Sequence, residues 1–130
     1  MDGETRARVR GRAGGRCEYC RLPEGGLVGA HQVEHVIARQ HGGDDGDDNL
    51  AMACARCNWH KGPNIAGLDE GRLVPLFHPR LDLWADHFAI RGATLVGLTP
   101  SGRATVQVLA MNSPGRVEVR ELLIDLGLYG

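Results

Sequence analysis

The sequence predicts a small α+β fold, and three observations support that prediction. First, 130 residues and 14.0 kDa suffice for one domain with a modest hydrophobic core. Second, two short segments of β-strand character lie between two pairs of cysteines. Third, several segments carry the residues that start or stop helices. Glycine accounts for 19 residues and aromatic residues for only 5% of the chain, so we expect a loop-rich fold that needs stabilisation beyond apolar burial.

The N-terminal half is predicted to contain two helices and two strands. In chain order they are an Arg-rich helix at residues 4–13, a strand at 27–37, a Gly/Asp loop at 39–48, a strand at 49–54 and a helix at 55–61. The first helix should end at Gly14-Gly15, because glycine readily takes the backbone conformation that closes a helix. The second should stop at Gly62-Pro63, since proline cannot continue it.

The C-terminal half is predicted to contain a hairpin and two helices. The predicted segments are an irregular stretch at 64–80, a hairpin of residues 87–90 and 94–98, a helix from Thr99-Pro100 to about Met111, and a helix from Ser113-Pro114 to Gly127. Thr and Ser followed by proline are typical of helix starts. We divide the chain into a module at 1–68 and an extension at 69–130 that packs on it.

Charge is distributed unevenly along a chain whose formal net charge is −1. Six arginines lie within residues 1–21, and four aspartates lie within the glycine-flanked loop at 44–48. A polyanionic partner would therefore be bound by local patches and not by a global field. No apolar segment reaches the ~20 residues of a membrane helix, and the Arg-rich start lacks the apolar region of a secretory signal. We expect no membrane association and a cytoplasmic location.

The four cysteines form two Cys-x-x-Cys pairs. They are Cys17 and Cys20, and Cys54 and Cys57. Two intervening residues let a tight turn present both sulfurs to one tetrahedral ion, so the pattern predicts a structural zinc site. Two disulfides, buried apolar thiols and a redox pair are the alternatives. The 33-residue gap between the pairs exceeds that of a compact zinc finger, which directs attention to the residues inside it.

Inside the gap stand Glu34-His35, then Asn49, and Asn58 follows the last cysteine. The run HQVEHVIARQHGGDDGDDNLAMACARCNWHKG, framed by the cysteine pairs, resembles the HNH endonuclease family over roughly residues 15–63. This resemblance implies a ββα-metal unit with a structural zinc site, followed here by the short hairpin and the C-terminal helices. It also implies a hydrolase that nicks or cuts nucleic acid, with DNA expected in preference to RNA.

The chemistry of these residues fits phosphodiester hydrolysis. His35 can take a proton near neutral pH and is the expected general base. Glu34 and Asn58 offer hard oxygen ligands, which suit magnesium or manganese as the catalytic ion. Adjacent strand residues face opposite ways, so Glu34 and His35 can cooperate only where the strand ends, bulges or twists. On the helix, Cys57 can face zinc while Asn58 faces the catalytic ion.

Further residues have expected supporting roles. By resemblance, Asn49 ties the intervening loop together and its backbone orients the His35 ring. Lys61 and Arg39 are expected phosphate contacts. His60 is an alternative ligand to Asn58, and His31 either supports the site or only packs.

Other parts of the sequence are expected to have no direct role in the chemistry. The acidic loop is expected to be a solvated turn, and Trp59 and Trp84 are expected in the core. The C-terminal half could dock a protein partner, form a homodimer interface or complete the core. The competing function is a non-catalytic zinc module that binds nucleic acid or protein, with the Arg-rich N-terminus as its binding surface.

Overall fold

The computed structural model describes all 130 residues, in five α-helices and three antiparallel two-stranded sheets. The helices are α1 (Gly3–Ala13), α2 (Ala55–Lys61), α3 (Trp84–His87), α4 (Pro100–Val108) and α5 (Pro114–Asp125). The strands are β1 (Gln32–His35), β2 (Leu50–Ala53), β3 (Ala66–Asp69), β4 (Arg72–Pro75), β5 (Phe88–Arg91) and β6 (Thr94–Gly97). The predicted α+β class is confirmed. None of the helices combines the length and apolar character that a bilayer crossing requires.

A ββα unit forms the centre of the N-terminal half. Strands β1 and β2 pair with Glu34 opposite Ala51 and His35 opposite Leu50, and α2 begins directly after β2. Helix α1 covers β2 through a small cluster of buried apolar side chains, in which Val9 packs with Leu50 and Met52. The unit therefore holds the end of β1 beside the start of α2.

Helix ends follow the predicted signals closely in this half. The carboxylate of Asp2 accepts the Thr5 amide at 2.7 Å and caps α1, while Gly14 closes it with φ of 65°. Strand β1 is shorter than the predicted 27–37. The bridge between Gly25 and Gly29, with Gly29 at φ of 85°, forms a turn in its place.

The prediction of an irregular stretch at 64–80 is wrong, because residues 66–75 form the β3–β4 hairpin. Its two-residue turn places Glu70 and Gly71 at φ of 51° and 79°, the backbone that tight hairpin turns require. Pro75 sits at the strand end, where the missing amide costs no ladder bond. A Cβ on Gly67 would come within 2.8 Å of the Val108 side chain, so glycine lets α4 lie close on β3.

Helix α3 was not predicted, and it includes His87, which was expected in a strand. The hairpin and the last two helices agree with prediction except at their ends. The β5–β6 hairpin is present, and Thr99 Oγ1 accepts the Gly102 amide at 3.0 Å to cap α4. Helix α4 ends at Val108, before the predicted Met111, and Ala110 takes a φ of 49°. Ser113 makes no side-chain cap bond, so α5 starts on proline alone.

One hydrophobic core joins both halves of the chain. Tyr19 from the first half packs edge-on against Phe77, which in turn packs against Phe88, and Leu109 and Met111 belong to the same buried cluster. The boundary drawn at 68/69 falls inside β3. The two halves are thus packed as one body, with the cysteines inside the shared core.

Candidate functional site: a cysteine cluster beside an open pocket

The four cysteine sulfurs converge on one point in the core. All four side chains are buried, and their Sγ atoms lie within 4.8 Å of one another. The Cys20 and Cys54 sulfurs are 3.7 Å apart, close to the ~3.8 Å edge of a tetrahedron whose zinc–sulfur bonds are about 2.3 Å. None of the four is in a disulfide. The four sulfur ligands and their spacing therefore fit a structural zinc ion. In this arrangement the cysteines do not form the two disulfides that the sequence left as an alternative.

The cluster is surrounded by hydrogen-bond donors. The Cys20 amide points at Cys17 Sγ at 3.5 Å, and the Cys57 amide points at Cys54 Sγ at 3.4 Å. Arg116, from α5, donates from Nη2 to Cys57 Sγ at 2.9 Å. Although burial lowers it, the cysteine charges hold the pKa of Arg116 above its ordinary value. Positive charge and N–H groups aimed at sulfur stabilise thiolates, the form that binds zinc.

Beside the cluster, on the outer side of the ββα unit, lies an open pocket of about 440 Å³. Its lining includes Glu34 and His35 at the end of β1, Arg39 from the following turn, and Asn58 from α2. Strand β1 ends at His35, which meets the condition under which both residues can serve one site. Cys57 and Asn58 are adjacent on α2, yet one belongs to the sulfur cluster and the other lines the pocket.

Glu34 is held in a buried hydrogen-bonded position at the base of the pocket. The Tyr19 hydroxyl donates to its Oε1, and Lys61 Nζ lies 3.3 Å from its Oε2. Burial raises the pKa of Glu34 despite these partners. Each carboxylate oxygen has two lone pairs, so one remains on each for another ligand. A hard divalent cation therefore fits the chemistry of Glu34.

Lys61 lies in the interior and not on the pocket surface. Its side chain is only 1% exposed, and Nζ donates to the Val36 carbonyl at 2.8 Å in addition to pairing with Glu34. A buried lysine needs such partners. This geometry gives Lys61 the part of charge partner to Glu34, and it does not support the phosphate contact expected from the sequence.

The His35 ring contacts the acidic loop. Its Nε2 lies 2.7 Å from Asp45 Oδ1, and Arg39 donates to both oxygens of the same carboxylate at 2.9 and 3.0 Å. These hydrogen bonds, from His35 first and Arg39 second, lower the pKa of Asp45. Asp45 is exposed, as expected for a solvated turn, and in addition its carboxylate has specific partners in His35 and Arg39.

Asn49 ties the loop that carries these residues. Its Oδ1 accepts the Ile37 amide at 2.8 Å, and its Nδ2 donates to the carbonyls of Ile37 and Asp44, each at 2.9 Å. Its backbone carbonyl accepts the Val36 amide at 2.9 Å, one residue beyond His35. The close fit leaves no room at Gly43, where a Cβ would lie 1.7 Å from the Ile37 oxygen.

Helix α2 contributes Asn58 to the pocket lining. Asn58 Nδ2 donates a hydrogen bond to Gln32 Oε1 at 2.6 Å. The side-chain carbonyl oxygen of Asn58 is then the atom that could bind a cation.

Trp59 is 81% exposed, so its expected core position is wrong, whereas Trp84 packs against the core. His31 is buried and bonds the Leu22 carbonyl at 2.7 Å through Nε2, away from the pocket lining.

The N-terminal arginines, the surface that the competing binding function requires, are largely engaged within the protein. Arg8 pairs with Asp47 at 3.2 Å, Arg10 pairs with Glu24 at 2.6 Å, and Arg12 donates to the carbonyls of Asp47 and Leu50. The contacts of Arg8 and Arg12 with Asp47 fasten α1 to the acidic loop.

Three residues with clear contacts at the site were not singled out from the sequence: Tyr19, Asp45 and Arg116. Tyr19 had a local signal, since it stands inside the first Cys-x-x-Cys pair. Arg116 had none, because 59 residues separate it from Cys57.

Comparison with known proteins gives one match. Residues 17–64 match the model of the HNH endonuclease family, and this span contains the four cysteines and every pocket residue discussed above. No curated protein and no solved structure matches the chain significantly.

Proposed function

We propose that this chain, which carries an HNH endonuclease domain at residues 17–64, is a metal-dependent endonuclease that hydrolyses phosphodiester bonds. The observation that supports the proposal is the shared pocket of Glu34, His35, Arg39 and Asn58 beside the cysteine cluster. The proposal includes DNA in preference to RNA as substrate and a cytoplasmic location, both on sequence grounds. Residues 1–68 are the proposed nuclease module, and residues 69–130 are its extension.

In this proposal each pocket side chain has one part in the reaction. Glu34 and Asn58 would hold a magnesium or manganese ion, which would supply charge neutralisation for the phosphate and the leaving oxygen. His35 is the general base. Because its Nε2 contacts the Asp45 carboxylate, the proton stays on Nε2 and Nδ1 is the nitrogen that accepts the proton of the attacking water. Arg39 contacts the phosphate.

The fixed environment of Glu34 supports its part as a ligand. Tyr19 and Lys61 hold the carboxylate from behind, as outer partners commonly orient metal ligands. The ion pair with Lys61 also keeps this buried carboxylate compensated when no cation is bound.

The test of the proposed activity is nicking of supercoiled plasmid by zinc-loaded, folded protein with added magnesium, manganese or zinc, or with no added divalent metal. We expect nicking with magnesium or manganese and none without added metal. Asn58→Ala should require more metal for half-maximal rate, because a carbonyl ligand is lost. Gln32→Ala is the matched control, since it removes the same Asn58–Gln32 hydrogen bond and no proposed ligand. Absence of cleavage in every metal with folded, zinc-loaded protein would contradict the proposal, as would equal metal dependence of the two variants.

Removing the Asp45 carboxylate is expected to strengthen nucleic-acid binding and slow cleavage. Asp45→Ala frees Arg39 for phosphate and removes the negative charge that contacts His35 and Arg39, so Kd should fall by about 3- to 10-fold at low salt. The His35 ring loses the contact that fixes its tautomer, so the single-turnover rate should fall. Fluorescence anisotropy and single-turnover cleavage measure the two effects separately.

Asp48→Ala is the control for this experiment. Asp48 is an exposed residue of the same loop with the same charge, and the carboxylate that contacts His35 and Arg39 is that of Asp45. Tighter binding with an unchanged rate in both variants would show that only the net charge of the loop matters.

A further inference from the structure

The C-terminal half reaches the cysteine cluster through three hydrogen-bond donors on separate elements. Arg116 of α5 donates to Cys57 Sγ, the Tyr129 hydroxyl donates to the Cys20 carbonyl at 2.7 Å, and Trp84 Nε1 donates to the Tyr19 carbonyl at 2.8 Å. The last two acceptors belong to the backbone of the first Cys-x-x-Cys turn. Both cysteine pairs are thus contacted by residues that come after the nuclease module.

Arg116 is the contact with the largest electrostatic consequence. Four thiolates around one zinc ion carry a net charge of −2 in a site whose sulfurs are all buried. The Arg116 residue is only 7% exposed, so its charge is poorly screened by water. The second terminal nitrogen of the guanidinium is also held, since Nη1 donates to the Leu109 carbonyl at 2.6 Å. The two terminal nitrogens therefore bridge the end of α4 and the sulfur cluster.

We propose that Arg116 is a positioning residue of the zinc site: its guanidinium partly neutralises the tetrathiolate and directs one N–H at Cys57 Sγ. The extension at 69–130 then has a defined part, because it supplies a guanidinium that hydrogen-bonds to a sulfur of the metal site in the nuclease module. In return, the bound metal fastens α5 to the core. The proposal rests on the cysteine cluster and not on nuclease activity, so its test does not depend on cleavage.

The test compares Arg116→Met with Arg120→Met. Arg120 lies one turn later on α5, is equally inaccessible, and donates to the Ala93 and Met111 carbonyls at 2.6 and 2.7 Å. Both variants lose a buried guanidinium, whereas only Arg116→Met loses a bond to sulfur. Zinc affinity is measured by competition with a chromogenic chelator under conditions in which each protein is folded by circular dichroism. We expect Arg116→Met to bind zinc about 10- to 100-fold more weakly than Arg120→Met.

A spectroscopic measurement separates the sulfur contact from general destabilisation. In the cobalt(II)-substituted protein, loss of an N–H···S bond should move the sulfur-to-cobalt charge-transfer band to longer wavelength in Arg116→Met and leave it unmoved in Arg120→Met. If Arg116→Met does not fold, Arg116→Lys and Arg120→Lys replace the pair, because lysine keeps the charge and loses the fork. Equal zinc affinity and identical cobalt spectra within the pair that folds would overturn the proposal.

Discussion

Replacing His35 by alanine is expected to lower the rate of phosphodiester cleavage by about 10²- to 10⁴-fold, the range over which general-base catalysis contributes. The fold should persist, because the His35 side chain is 23% exposed and its ring contacts Asp45, whose side chain is 59% exposed. The measurement is the single-turnover rate at which supercoiled plasmid is nicked in magnesium or manganese. Thermal unfolding of the same samples is followed by circular dichroism. We expect a nearly unchanged melting temperature.

His41→Ala is the control for this prediction. His41 is exposed in the turn that follows Arg39, six residues from His35, and it does not line the pocket. Its removal should leave the cleavage rate within about twofold of wild type, as for a surface substitution away from the chemistry. A His35→Ala rate equal to that of His41→Ala would reject His35 as the base while leaving the metal dependence of cleavage to be explained by other groups.

The parts of the site that sequence analysis predicted are those encoded by local patterns. Glycines close α1, a glycine-proline pair follows α2, and the spacing of each cysteine pair fixes a turn that can present two sulfurs. The ββα unit follows from these signals and from the family resemblance, since each concerns residues close together in the chain.

The hairpin at 66–75 shows where local patterns were overlooked. The prolines at 75 and 79 favoured an irregular chain, and the prediction did not use the Glu70-Gly71 pair, which forms the turn. Proline at a strand end is compatible with a sheet edge, so these prolines do not exclude a hairpin.

The remaining differences depend on the tertiary fold. A lone lysine is ordinarily exposed, whereas Lys61 is buried beside the Glu34 carboxylate and the Val36 carbonyl, which it meets once β1 packs on α2. Arg116 meets Cys57 across 59 residues, and no spacing rule connects them. Such charge partners become visible only when the core that desolvates them is known.

Removal of the metal is expected to unfold the whole chain. Structural zinc sites contribute about 10–16 kcal/mol of binding free energy, which matches or exceeds the 5–15 kcal/mol by which domains are ordinarily stable. The four cysteines lie in the cluster that joins the two halves, together with Tyr19, Phe77 and Phe88. Chelation of the zinc, or the Cys57→Ser substitution, should therefore unfold both halves in one transition, followed by far-ultraviolet circular dichroism. Elemental analysis should give one zinc per folded chain.

Met111→Leu is the matched control, because Met111 is fully buried in the same cluster and contributes no ligand. A volume-conserving exchange in the core should cost less than about 1.5 kcal/mol and leave zinc content unchanged. If Cys57→Ser melted like Met111→Leu and kept its zinc, the fourth sulfur would be dispensable. If the metal-free wild type melted at the temperature of the zinc-loaded protein, with four titratable thiols, the cluster would not be a structural metal site. The Arg116 cation would then face the thiols alone, and the core would have to be stable through apolar contacts that a glycine-rich, aromatic-poor chain supplies sparingly.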